Sequence, residues 1–156
     1  MYVLTNGTRV RFFSYLGADI VLGISGPKGD PDVGQSAVKH LSAGNKSHVT
    51  TFIIEATENN GFRLKWGEHP KFYLSWMGNG HALVLHEALG HRPGQDPADS
   101  LFAVDPVKDG TWFALNNRKH QAVLDISQSD TRENNSVIQF PWNGGDNQVW
   151  RTEIAA

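Results

Sequence analysis

An all-β fold of twelve short strands in three pseudo-symmetric repeats is predicted by three observations. Leu22, Leu74 and Leu124 recur at intervals of 52 and 50 residues, each at the centre of an alternating apolar segment. Phe52, Phe102 and Trp150 recur at 50 and 48 residues, each in a segment that closes a unit. Nothing reads convincingly as a helix, while Gly, Asn, Asp and Pro punctuate the chain at strand-like intervals. Four strands in each of three units describe a β-trefoil, a small closed barrel capped by three hairpins. Closure removes exposed sheet edges, which suits an all-β chain without cysteine.

The first unit opens with strands at 10–15 and 20–25, separated by a turn through Gly17 and Asp19. A third strand is expected at 37–41 and a closing strand at 49–54. In the second unit, Phe62-Arg63-Leu64-Lys65-Trp66 alternates strictly between apolar and charged residues, the pattern of a half-buried strand. Segments 72–76, 82–86 and 100–104 complete that unit. Residues 82–90 are the best helix candidate, but they are few and sit where the repeat requires a strand. The third unit has strands at 112–116, 122–127, 137–140 and 148–152. Repeats of approximately 8–56, 57–107 and 108–156 therefore make one domain, which 156 residues are long enough to give a genuine core. The three Leu and the three closing aromatics are the expected shared core.

Composition narrows the function classes. Fourteen basic and 16 acidic residues leave a net charge of −2, scattered along the chain, so nothing favours nucleic acid or an anionic membrane as partner. The absence of cysteine excludes disulfides, thiolate metal sites and a Cys nucleophile. Residues 1–7 lack a charged segment followed by an apolar one, and no apolar run approaches membrane-spanning length. The expectation is a cytoplasmic protein without membrane insertion, with non-conventional secretion as the alternative. Asn6, Asn45 and Asn134 begin glycosylation sequons, which carry little weight without a signal segment.

The most specific segment is Val137-Ile138-Gln139-Phe140-Pro141-Trp142-Asn143-Gly144-Gly145-Asp146-Asn147-Gln148-Val149-Trp150, preceded by Leu124-Asp125-Ile126. It reads as a strand, a Gly-Gly turn and a Gln-x-Trp strand. A Trp is costly to bury unless its N–H finds an acceptor, and a Gln two residues earlier lies on the same side of a strand. The combination resembles the ricin B-type (R-type) lectins, in particular their cysteine-free fungal members. The likeness covers the whole chain as architecture but only the third unit as chemistry. Gly23 and Ser75 stand where the family has its strand Asp, and Thr50 and Ser100 where it has Gln. Within the third unit, Phe140 occupies the usual Trp position and Gln139 replaces Gly.

The resemblance implies a glycan-binding, non-catalytic protein with one carbohydrate site in the third repeat, of a type that most often favours galactose or N-acetylgalactosamine. It implies Asp125 as principal hydroxyl acceptor, Asn147 as second hydrogen-bonding group, Gln148 as brace, and Asn143 in the intervening loop. Phe140, or failing it Trp142, is the ring under the sugar's C–H face. Such chemistry needs a fixed carboxylate or amide for hydroxyls and an aromatic plane for the apolar face. Asp125 capping a turn and Asn147 satisfying loop backbone are the plainer readings of the same residues. A single site gains avidity only by pairing with another copy, which makes a homodimer the arrangement with a functional motive. A defence role through glycolipids differs only downstream of binding.

The alternative class is a trefoil protease inhibitor, presenting Lys28 or Arg92-Pro93 from loops 26–35 and 90–99. An enzyme has no positive support. His86-Glu87-Ala88-Leu89-Gly90-His91 is one residue longer than a zinc-protease motif, and on a helix its two His would stand ~140° apart. His81, His86 and His91 are at most an adventitious metal cluster. No cofactor and no metal site is expected. Gly26-Pro27-Lys28-Gly29-Asp30-Pro31 lacks the ending of a phosphate loop, and no Ser lies in a nucleophile-elbow context. Phe72, Trp76 and Trp142 offer themselves as a protein-binding surface, although period-2 packing accounts for them more simply.

Overall fold

The computed structural model describes residues 4–24, 38–42, 44, 50–57, 61–67, 71–76, 78–86, 97–132 and 135–155. Twelve strands lie among them. They are β1 (Arg9–Ser14), β2 (Ile20–Ile24), β3 (Val38–Ser42), β4 (Phe52–Ala56), β5 (Phe62–Trp66), β6 (Tyr73–Ser75), β7 (Val84–His86), β8 (Ala103–Lys108), β9 (Trp112–Asn117), β10 (Ala122–Ile126), β11 (Val137–Phe140) and β12 (Trp150–Ile154).

Six strands form the barrel. β1 pairs with β12 and β4, β4 with β5, β8 with β9, and β9 with β12, all antiparallel. Closure between β5 and the start of β8 runs through a bridge of Phe62 with Phe102, whose N–H and C=O groups bond reciprocally at 2.8 and 2.9 Å. The hairpins β2–β3, β6–β7 and β10–β11 cap the barrel. Bridges from Ala82 to Ile138 and from Asn79 to Gln139 tie the second cap to the third. This is the twelve-stranded trefoil that the repeat predicts.

The core follows the repeat. Leu22, Leu74, Leu124, Phe52, Phe102 and Trp150 are all at most 1% exposed. Phe12 packs between Phe52 and Phe113, with ring centroids at 6.1 and 6.3 Å in tilted and edge-on arrangements favoured by aromatic quadrupoles. β5 alternates as its sequence requires, with Phe62, Leu64 and Trp66 buried and Arg63 and Lys65 partly exposed. Phe72 is 3% exposed and belongs to the core, so packing rather than a surface role explains it. The β8–β9 hairpin turns on Asp109 and Gly110, both with positive φ, the pairing that matches strand twist in a tight hairpin.

Two local expectations change. Residues 97–100 and 146–148 form single 3₁₀ turns, so Ser100 and Gln148 precede the closing strands instead of lying within them. In the third unit, the N–H groups of Gln148 and Val149 bond back to the carbonyls of Gly145 and Asp146, which takes this segment out of the ladder. Loop 26–35, most of loop 90–99 and residues 87–91 of the His-Glu motif lie outside the described residues. Among the described residues, no group of three or more His, Asp or Glu is placed to hold a metal ion. No helix among them is long and apolar enough to cross a membrane.

Candidate functional site

Asp125 sits on β10 opposite Ile138 of β11, and Val123 sits opposite Phe140. Directly paired residues share a face, as do residues two apart along a strand, so Phe140 is a diagonal neighbour of Asp125 on one face of the hairpin. The 3₁₀ turn then brings Asn147 and Gln148 against the carboxylate. Asn147 Nδ2 donates to Asp125 Oδ1 at 2.8 Å and Gln148 Nε2 donates to Oδ2 at 2.9 Å. A turn achieves what a strand would not, because it directs two successive amide side chains toward one acceptor.

Each amide is also tied to backbone. Asn147 Nδ2 reaches the Ile126 carbonyl at 3.0 Å. Gln148 Nε2 reaches the Pro141 carbonyl at 3.0 Å, and its Oε1 accepts the Asn143 N–H at 2.9 Å. Gln148 therefore clamps the chain on both sides of Trp142, is fully buried, and has both N–H groups engaged. It is a brace with no donor left for a ligand. Asn143 faces inward only through its backbone, since its side-chain Oδ1 accepts the Gly145 N–H at 2.9 Å. Trp150, one turn further on, donates its indole N–H to the Leu124 carbonyl at 3.2 Å, satisfying the buried ring beside the site.

What remains for a ligand is acceptor capacity and aromatic surface. Asp125 is 4% exposed and each of its oxygens has one internal donor, which leaves further lone pairs on each. Asn147 has both N–H groups engaged and presents its Oδ1. Burial pushes the Asp125 carboxyl above the ordinary aspartate range, and the donors from Gln148 and Asn147 oppose this without cancelling it. Phe140 and Trp142 are 43% and 46% exposed, the largest exposed rings of the third lobe. At the rim, Lys108 bonds Asp146 at 3.4 Å and lies 4.4 Å over the Tyr15 ring.

Gly145 is the position that the motif contained but that its side-chain chemistry did not mark. Its φ of −71° is open to any residue. A Cβ there would stand 2.4 Å from Asn147 Oδ1 and 3.0 Å from Asn143 Oδ1. The glycine is needed for space, so Gly145→Ala is expected to displace the Asn147 amide with little backbone cost. If Asn147 contacts glycan, affinity should fall roughly tenfold, the worth of about one hydrogen bond, with the melting temperature nearly unchanged. Isothermal titration of the variant against the best-bound saccharide checks this, and full affinity would separate Asn147 from binding.

The other two lobes show a different solution at the same positions. Arg11 Nε donates to Thr50 Oγ1 at 3.1 Å, and Arg63 Nε donates to Ser100 Oγ at 3.3 Å. Where the third lobe has a carboxylate held by two amides, these lobes have an arginine from the first strand holding a hydroxyl.

A barrel of six strands with three hairpin caps and a polar cluster under the third cap defines the protein as a β-trefoil. Solved structures agree on the fold. The designed three-fold symmetric protein ThreeFoil superposes with a TM-score of 0.77 at 17% identity, over 95% of this chain and 99% of that one. The Rhizoctonia solani agglutinin gives 0.71 at 15% identity, over 99% of this chain and all of the agglutinin. The Polyporus squamosus lectin, solved with the epitope Neu5Aca2-6Galb1-4GlcNAc, gives 0.73 at 12% identity over 97% of this chain, which spans only half of that lectin. No protein-family model matches the sequence. No curated protein matches it either.

Proposed function

We propose that the protein binds carbohydrate without catalysis, as a ricin B-type lectin does, through one site in the third lobe. The observation that carries this reading is the carboxylate of Asp125, fixed by Asn147 and Gln148 on the same hairpin face as an exposed ring. Asp125 takes two sugar hydroxyls on its remaining lone pairs, and Asn147 Oδ1 accepts a third. Phe140 lies under the C–H face, with Trp142 across the loop that Gln148 clamps. The same chemistry suits galactose or N-acetylgalactosamine, whose axial hydroxyl leaves a continuous C–H patch on the opposite face. Fold likeness to two proteins named as an agglutinin and a lectin supports the class of ligand and leaves the sugar to experiment.

A glycan array on the purified protein tests the reading. Terminal galactose or N-acetylgalactosamine structures should dominate, and free galactose should compete them off. No binding to any glycan would end the proposal.

Acid provides a second test through Asp125. An acceptor for hydroxyls must be ionised, and this carboxyl protonates at a higher pH than an ordinary aspartate because it is buried. Binding should therefore weaken on acidification with a midpoint above about 3.8. Stability runs the opposite way. Between the unfolded and the raised folded pKa the native state holds the extra proton, so stability falls as pH rises through that window. Affinity and stability should thus move in opposite directions with pH. A pH-independent affinity down to the ordinary aspartate range would count against Asp125.

A further inference from the structure

The second lobe has the same 3₁₀ turn as the third, and the 48-residue repeat that relates Phe102 to Trp150 places Asp99 at the position of Asn147. The 50-residue interval that relates Leu74 to Leu124 places Ser75 at the position of Asp125 and Trp76 beside it. The carboxylate has moved from the strand to the turn, and an indole stands next to it. Trp76 is fixed to the turn by its backbone N–H, which bonds the Asp99 carbonyl at 2.8 Å. A carboxylate and an aromatic plane held together in this way have the chemistry a saccharide needs.

In this structure a side chain of the third lobe fills both roles of such a ligand. The imidazole of His120, from the β9–β10 turn, stacks on the Trp76 indole with centroids 3.4 Å apart and planes 6° from parallel. Its Nε2 lies 2.6 Å from Asp99 Oδ1. Lys119 Nζ approaches the same oxygen at 3.8 Å. The ring thus covers that face of the indole as a sugar's C–H face would, and takes the carboxylate as a hydroxyl would. The Trp76 Nε1–H is enclosed with no acceptor among the described residues, a polar group the closed arrangement leaves unsatisfied.

We propose that the second lobe holds a saccharide site built from Asp99 and Trp76, which His120 occupies as an internal plug. The turn that carries the plug does not depend on it. Asn117 is fully buried, donates its Nδ2 to the carbonyls of Ala98 and Asp99 at 3.0 and 3.1 Å, and accepts the His120 backbone N–H on its Oδ1 at 3.2 Å. The ring can leave while the turn stays. A ligand entering here must displace the imidazole, so the intact protein binds through this lobe more weakly than the exposed chemistry would allow, by the fraction of time the site is open. The corresponding turn of the first lobe, 15–19, carries Gly17 and Ala18 and has no imidazole of its own.

The inference shares only its ligand class with the third-lobe reading, and the test separates the two. Asp125→Ala silences the third lobe; His120→Ala and His120→Ser are then added to it separately. On a glycan array, at least one of the double variants should gain signal at least tenfold over Asp125→Ala, and adding Asp99→Ala should remove that gain. If the wild type binds nothing while His120→Ala alone binds in an Asp99-dependent way, the second-lobe site stands and the third-lobe reading falls. The proposal is overturned if both double variants keep the melting profile of Asp125→Ala and gain no glycan. It is equally overturned if neither folds, because His120 is then a strut of the fold and no removable plug.

Discussion

Asp125→Ala should abolish binding to the glycan array while the protein melts within a few degrees of the wild type. Removing the carboxylate leaves no stranded amide in the site. Gln148 keeps the Pro141 carbonyl and Asn147 keeps the Ile126 carbonyl, so each retains a partner for one of its two N–H groups. The cost of holding a charge at 4% exposure disappears at the same time, offsetting the two lost hydrogen bonds. For a ligand there is no such compensation. Two hydroxyls bonded to a carboxylate are worth about 1.5–3 kcal/mol each, so affinity should drop at least ~100-fold. A binding profile identical to the wild type would remove Asp125 from the site, and a large loss of stability would make it a fold-maintenance residue.

Trp150→Ala should have the opposite signature, a large loss of stability from a residue that touches no ligand. The indole is fully buried at the junction of β12 with β9, where Trp150 pairs with Phe113, and its N–H satisfies the Leu124 carbonyl. Truncation opens a cavity in the common core and leaves that carbonyl enclosed without its donor. Buried Trp→Ala changes cost about 3–5 kcal/mol, which for a chain of this length lowers the melting temperature by roughly 6–20 °C. Trp150→Phe is the control: it keeps most of the ring and loses the N–H, so about 1–3 kcal/mol should go. Equal losses for the two variants would mean that the hydrogen bond, and not ring volume, dominates.

The parts of the fold legible in the sequence are those set by burial. Leu22, Leu74 and Leu124 recur because three equivalent strands point into one core, and nothing but an apolar side chain fits there. The convergence of Asp125, Asn147 and Gln148 was legible through motif resemblance. Their conformation was not: a Gln-x-Trp segment reads as a strand by alternation, whereas a 3₁₀ turn brings the amides to Asp125, 22 and 23 residues away. The Trp76–His120 stack was further out of reach. Its members lie in different lobes, and neither residue type marks a site alone. The available signal was the repeat itself, since the spacing that pairs Phe102 with Trp150 also pairs Asp99 with Asn147.

The pairing of β1 with β12, in register from Val10 opposite Ile154 to Ser14 opposite Trp150, has a consequence for how the molecule assembles. The barrel is sealed by joining segments some 140 residues apart, so its hairpins can form early while the ring waits for its last stave. Loop closure over that distance is entropically slow, and topologies dominated by such distant contacts refold in milliseconds to seconds. Until that seam zips, β1 and the apolar side of Phe12 face solvent, and the late-arriving indole locks the ring shut.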